Sequence, residues 1–320
     1  MSGPVTPPLR LGTRGSPMAI VQSVHVARLI TQRTGQPVQL VQVTTFGDVS
    51  RARISDIGGT GVFVSGLRQR LLAGELDLAV HSLKDMPTAE AEGLVLAAVP
   101  TRDDPRDALV TADGAKLADL PAGARVGTGA PRRAAQLRLL RPDITPVPVR
   151  GNAGTRLAKV GSGELDALVL GYAGLSRISR LDAVAEVLEP DQMLPAPGQG
   201  ALAVECRTDS VALRELLGTA DDPSSRAAVT AERSLLAALQ GGCSAPVGAY
   251  ASHDQATGMV HLTAAVFDPV GAGAVRATGT ADAMGAASLG HEIAEELLRR
   301  GAGNYITVPP ARSSDVGGSQ

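Results

Sequence analysis

The sequence predicts an α/β protein: two units with mostly parallel sheets, followed by a smaller α+β unit. Three observations predict it. Short apolar strands alternate with amphipathic helices from Leu9 to Gly171. The stretch Leu194-Pro195-Ala196-Pro197-Gly198-Gln199-Gly200 has the composition of a hinge. After Pro223 the order changes to helix, three alternating strands and helix. A chain of 320 residues also exceeds one ordinary core, so two or three domains are expected.

In the first unit, Leu9 to Thr13 is a short strand, and Ser16-Pro17 supplies an N-cap and a first-turn proline. The helix that follows runs to Thr34 and closes at Gly35. Val38 to Thr45 is a second strand. Gly58-Gly59-Thr60-Gly61 opens a helix over Val62 to Ala73, and Leu76 to Val80 is a strand leading into His81-Ser82-Leu83-Lys84-Asp85. The second unit starts after Pro100, with strands Ala108 to Thr111, Arg125 to Thr128, Thr145 to Val149 and Ala167 to Gly171. Its helices begin near Pro131, Ala153 and Ala173. Ala201 to Glu205 reads as one more buried strand. The third unit has a helix through Gln240, strands between Val247 and Thr280, and a helix near Ala283 to Arg300. The tail from Ala311 is Ser/Gly-rich and reads as disordered.

Composition excludes several function classes. A net charge of −2 removes the electrostatic footprint of a nucleic-acid binder. With three Tyr, three Phe and no Trp, cores are aliphatic and aromatic stacking on a ligand is not expected. No apolar run approaches a membrane span, and Met1 to Pro8 lacks the pattern of a signal peptide, so a cytoplasmic protein without a membrane partner is expected. Cys206 and Cys243 make no disulfide framework, and no Cys/His spacing suggests a metal. Neither Gly58 to Gly61 nor Gly127 to Gly129 fits a nucleotide fingerprint, which removes ATP and NAD.

Four arginines stand beside turn-forming residues: Arg132 and Arg133 after Gly-Thr-Gly-Ala-Pro, Arg150 before Gly151, and Arg156 after Gly-Asn-Ala-Gly-Thr. A guanidinium fork matches a carboxylate or phosphate, and a helix starting at Pro131 adds its own N–H groups. One arginine of this kind reads as a solvated helix face; four around two strand-to-helix turns read as an anion site. Arg14 and Ser16 follow the first strand, and Arg177 follows the strand ending at Gly171, so both units aim cations at one cleft. Asp85 shares its loop with Ser82 and Lys84; an Asp-capped turn is the competing reading. Cys206 lies inside an apolar strand and reads as core. Cys243 follows Gly241-Gly242 on a loop, where a thiol suits covalent attachment, although a packed thiol is the alternative.

These residues resemble one family. Leu11-Gly12-Thr13-Arg14-Gly15-Ser16-Pro17, Val80-His81-Ser82-Leu83-Lys84-Asp85-Met86-Pro87-Thr88 and Arg102-Asp103-Asp104-Pro105-Arg106-Asp107 match the porphobilinogen deaminases, also called hydroxymethylbilane synthases. So do Val149-Arg150-Gly151-Asn152-Ala153-Gly154-Thr155-Arg156-Leu157, Pro197-Gly198-Gln199-Gly200-Ala201 and Glu232-Arg233 with Gly241-Gly242-Cys243, collinearly from Leu9 to Ile306. The resemblance implies two periplasmic-binding-protein-like lobes with mixed, mostly parallel sheets plus a small α+β C-terminal domain. It divides the chain into residues 9–101 with 199–218, residues 102–198 and residues 223–308, leaving 309–320 as a disordered tail. It implies a transferase that joins four porphobilinogen molecules, with loss of ammonia, onto a dipyrromethane cofactor. The cofactor is held by a thioether to Cys243, and hydroxymethylbilane is released by hydrolysis. Asp85 takes the catalytic role. Arg14, Ser16, Ser82, Lys84, Thr128, Arg132, Arg133, Arg150, Arg156 and Arg177 take cofactor and substrate binding, and a monomer is implied.

The chain departs from many members at Thr60, where they carry lysine, at Ser65-Gly66 in place of Lys-Glu, and at Gly129-Ala130 before Pro131 in place of a serine pair. The rival reading is a two-lobed anion-binding protein without chemistry, which leaves the third unit and its Gly-Gly-Cys loop unexplained.

Overall fold

The computed structural model describes residues 7–44, 64–241 and 245–306. The expectations for the Gly58 to Gly61 loop, for Cys243 and for the tail from residue 309 lie outside these residues.

Local signals set the first elements. Strand β1, Leu9–Arg14, leads into the helix Pro17–Thr34, where Ser16 Oγ accepts the Ala19 N–H at 3.3 Å and Gly35 closes the last turn at φ +71°. β2 is Val38–Val43, and a helix Ser65–Leu72 precedes β3, Leu78–Ser82. The strand begins two residues later than expected. Asp77 instead accepts the Arg10 backbone N–H at 2.7 Å and its guanidinium at 2.8 Å, joining the starts of β1 and β3. β4, Leu94–Ala98, has no counterpart in the expected elements.

The second unit holds β5 (Asp107–Thr111), β6 (Arg125–Thr128), β7 (Thr145–Pro148), β8 (Ala167–Gly171) and β9 (Val184–Leu188). Its helices are Pro131–Leu140, Ala153–Gly161 and Tyr172–Arg177. The chain then returns to the first sheet as β10, Leu202–Arg207. The third unit has a helix Pro223–Ala238, strands β11 (Val247–Asp254), β12 (Met259–Phe267) and β13 (Ala274–Asp282), and a helix Ala286–Arg299.

The two large sheets follow one plan, in the orders β2-β1-β3-β10-β4 and β7-β6-β8-β5-β9. In each, the first three strands in that order pair in parallel, the fourth runs antiparallel to both neighbours, and the fifth shares the direction of the first three. The sheets are mixed, and the parallel part is smaller than strand–helix alternation alone suggests. The antiparallel strands, β10 and β5, are the two that follow crossings between the units. The third sheet, β11-β12-β13, is an antiparallel meander.

Each unit has its own aliphatic core, as the scarcity of aromatics requires. Val26 and Ile30 of the first helix form one core with Leu11, Leu78 and Val204 of the sheet. Leu109, Val126, Leu137, Val169 and Leu188 form a core of the second unit, and Leu235, Leu262, Val266, Leu289 and Leu297 that of the third. Each leucine of this kind contributes roughly 1.5–3 kcal/mol. Cys206 is fully buried in the first core, and burial pushes its thiol up to about 11, which makes it inert at neutral pH. Among the described residues no helix is long and apolar enough to cross a membrane, and no group of three His, Cys, Asp or Glu is placed to hold a metal.

Candidate active site between the two lobes

The carboxyl ends of β3 and β8 open on the same cleft, where ligands of α/β sheets bind. After β3 the chain makes one 3₁₀ turn, Leu83–Asp85. Leu83 is buried and its N–H bonds the Ala201 carbonyl at 3.0 Å, so the turn is anchored to β10's approach while Lys84 and Asp85 reach the cleft. Arg233, on the helix of the third unit, donates to the carbonyls of Met86 and Pro87 at 3.2 and 2.8 Å and holds the loop from behind.

The cleft encloses about 860 Å³. Its described walls carry six Lys or Arg side chains, Arg14, Lys84, Arg133, Arg156, Arg177 and Arg180, against a single carboxylate, Asp85. Ser16 and Ser82 also line it, Ser16 Oγ being engaged as the helix cap. Asp85 is exposed to the cavity. Lys84 is partly buried: burial lowers its ammonium to about 8, with Arg133 adding to that and Asp85 opposing it.

The structure sorts the expected arginines into two groups. Arg132 and Arg133 are buried, and each donates to one oxygen of the fully buried Asp107, at 2.8 and 2.7 Å. Burial by itself raises Asp107, but the two guanidinium groups outweigh it and hold the carboxyl far below the usual range. Arg132 also bonds the Leu194 carbonyl and does not line the cavity, whereas Arg133 does, its Nε finding no partner among the described residues. Arg156 donates to the Gly151 carbonyl at 2.8 Å; burial, then Arg133, lowers its pKa. Arg177 reaches across to the first crossing, Asp103 Oδ2 at 2.8 Å, and to the Gly200 carbonyl at 2.7 Å. Arg150 is exposed and lies beside the lining residues Gly151 and Asn152 without being one. Thr128 is buried; its Oγ1 accepts the Ala130 N–H at 3.2 Å, and it is not among the residues lining this cleft. Cys243 lies outside the described residues.

Sequence reasoning missed Asp107, Arg180 and Gln199. Asp107 starts a strand, and in the sequence it reads only as the last residue of the Arg102–Asp107 motif, with no role in the site. Gln199 sits between two glycines of positive φ, Gly198 at +74° and Gly200 at +85°. A Cβ at Gly200 would run into the Asp103 carbonyl, so the two crossings touch there because that residue is glycine.

Comparison with known proteins bears on all of this. The family model described as "Porphobilinogen deaminase, dipyromethane cofactor binding domain" matches residues 9–215, and the one described as "Porphobilinogen deaminase, C-terminal domain" matches residues 226–299. The chain is similar to "Porphobilinogen deaminase" of Thermobifida fusca, 58% identical over 309 residues, covering 94% of this chain and 96% of that protein. It is 55% identical to "Porphobilinogen deaminase 1" of Streptomyces coelicolor over 309 residues, covering 93% and 97%. Among solved structures it is similar to a nutrient binding protein from Burkholderia cenocepacia bound to methionine. That likeness has a TM-score of 0.42 and 15% identity, covering 72% of this chain and 96% of the other. By two family models and by relatives matched over nearly their whole length, the chain belongs to the porphobilinogen deaminase family.

Proposed function

We propose that this chain joins four porphobilinogen molecules head to tail, each with loss of ammonia, onto a dipyrromethane primer at Cys243, and releases hydroxymethylbilane by hydrolysis. Family membership makes it a transferase of tetrapyrrole biosynthesis with a dipyrromethane cofactor. The single observation that carries the site assignment is the charge of the cleft, six cations facing one carboxylate.

The residues present fit a dipyrromethane. Its pyrroles carry acetate and propionate groups, and the walls offer Arg14, Lys84, Arg133, Arg156 and Arg177 to hold them, with Arg133 Nε unpartnered among the described residues. When bound, the cofactor supplies the pyrrole carbon at which the chain of units starts. Asp85 stabilises the positive charge that develops on a porphobilinogen unit as ammonia leaves, because a fixed carboxylate acts where charge appears. Arg132 and Thr128 support this wall from behind, and Arg150 meets carboxylates at its rim. The division into residues 9–101 with 199–218, 102–198 and 223–308 belongs to the same reading and is supported by the three sheets. A monomer acting in the cytoplasm completes it. A binding protein without chemistry leaves the third unit and its Gly241-Gly242-Cys243 loop unexplained, which disfavours the rival.

The test is intact mass spectrometry of the purified protein beside Cys243→Ser. The reading expects a mass excess of two linked pyrroles that the variant lacks. A thiol that stays unmodified after incubation with porphobilinogen would leave a two-lobed anion binder as the better description.

A further inference from the structure

Gln199 lies in the second crossing with 2% of its surface exposed. Its neighbours fix which way its amide points. On one side lie Asp107 Oδ1 and the Pro105 carbonyl oxygen, each 2.7 Å away and each an acceptor only, so the NH₂ group faces them. The carbonyl oxygen therefore faces Lys84 Nζ at 3.4 Å and Arg133 Nη2 at 3.3 Å, both donors only. One side chain thus joins the turn after β3 to the Asp107–Arg132–Arg133 cluster of the second sheet.

We propose that Gln199 is a positioning residue for the reaction: its carbonyl oxygen holds the Lys84 ammonium beside Asp85, and its NH₂ group fixes that oxygen to Asp107. The inference rests on the reading of Lys84 and Asp85 as working groups. The charged groups that act most strongly on Lys84 are Asp85 on its own turn, Arg133 and Arg132 on the helix Pro131–Leu140, and Asp107 on β5; Arg14, Arg156, Arg177 and Arg180 line the same cleft. Between Lys84 and Arg133, two like charges in a sheltered site, the Gln199 oxygen is the shared neutral acceptor. Without it their repulsion is no longer offset at close range, so the ammonium is disfavoured and Lys84 loses its proton at lower pH.

The test compares cofactor-loaded wild type, Gln199→Met and Gln199→Asn, measuring kcat and KM for porphobilinogen across the neutral-to-alkaline range, together with thermal unfolding. Gln199→Met keeps the shape without the amide; in Gln199→Asn the amide is too short to reach both sides. The expected result is roughly a tenfold fall in kcat/KM, with the alkaline limb displaced toward neutral pH by about half a unit or more in either variant that folds. An unmoved limb in a folded variant, whether activity is normal or reduced in step with stability, overturns the inference and leaves Gln199 a packing residue. If Gln199→Met does not fold, Gln199→Asn carries the comparison. Asp85→Asn is assayed in parallel. Near-normal turnover there removes the reading of the site itself, whereas an inactive Asp85→Asn beside an unmoved Gln199 limb removes this inference alone.

Discussion

Arg102 and Glu232 meet as a bidentate pair, Nη1 to Oε1 at 2.8 Å and Nη2 to Oε2 at 3.0 Å, where both crossings touch the third unit. Glu232 is fully buried and also accepts the Gly198 N–H at 2.6 Å and the Ala251 N–H at 2.7 Å. Removing one partner leaves a buried charge unpaired, at a cost of about 3–5 kcal/mol. Arg102→Leu is therefore expected to lower the urea midpoint substantially at neutral pH; an unchanged midpoint would mean the pair is energetically idle.

Asp85→Asn should leave the unfolding curve unaltered, since Asp85 is exposed and the turn is anchored instead through the buried Leu83, whose N–H bonds the Ala201 carbonyl. Turnover should fall by at least about a hundredfold, the scale for losing one preorganised electrostatic group. Steady-state assay with porphobilinogen reads this directly.

The pH profile should carry a limb from Lys84. Burial lowers its ammonium to about 8, so carboxylate binding weakens and KM rises as pH passes that value. Lys84→Arg keeps the charge and should move the limb upward; a limb that stays in place belongs to another group. The sign for folding is opposite. The charged form is disfavoured in the folded protein, so this site's penalty is complete below about 8 and fades as pH rises toward 10.5.

Asp107 gives the acid-side counterpart. Its carboxyl is held far below the ordinary range, so the stability it contributes is present above about pH 4 and is lost as pH falls below that. Asp107→Asn strands two buried guanidinium groups and should destabilise by about 3–5 kcal/mol at pH 7, with the loss shrinking on acidification. Denaturant titrations of both proteins at neutral and acid pH check it.

Gly200→Ala places a Cβ against the Asp103 carbonyl on a backbone at φ +85°. Neither the clash nor the dihedral is relieved by a flexible side chain, so a loss of roughly 1–3 kcal/mol is expected. The same substitution at Gly35, which is at positive φ but open, should cost less, and comparing the two midpoints separates crowding from dihedral strain.

Three helix starts were legible because each carries a local cue: Ser16-Pro17, Pro131 and Pro223 all stand where helices begin, whereas the helix Val211–Gly218, with no side-chain cap, was not expected. The strands with flanking turns were legible too. β4 and β9 were not, because each pairs with a strand set by the crossings: β4 with β10, and β9 with β5. Short apolar segments such as Leu94–Ala98 show nothing of that partner. In the site, the turn-associated arginines were readable as a group. Which of them faces the cavity was not, since Arg132 and Arg133 are both tied to Asp107, a buried carboxylate at the start of β5 that no local pattern pairs with them. Gln199 escaped for the same reason, the five partners of its side chain lying on three separate segments.

The exchange of strands also dictates an order of synthesis. The sheet β7-β6-β8-β5-β9 is built from one continuous run, residues 107–188, and can close as soon as that run leaves the ribosome. The sheet containing β3 cannot. Until Leu202–Arg207 emerges, β3 and β4 each present an open edge to any strand nearby. The lobe that is translated first is therefore the one finished second, and the Asp85 turn gains its anchor at Ala201 only at that moment.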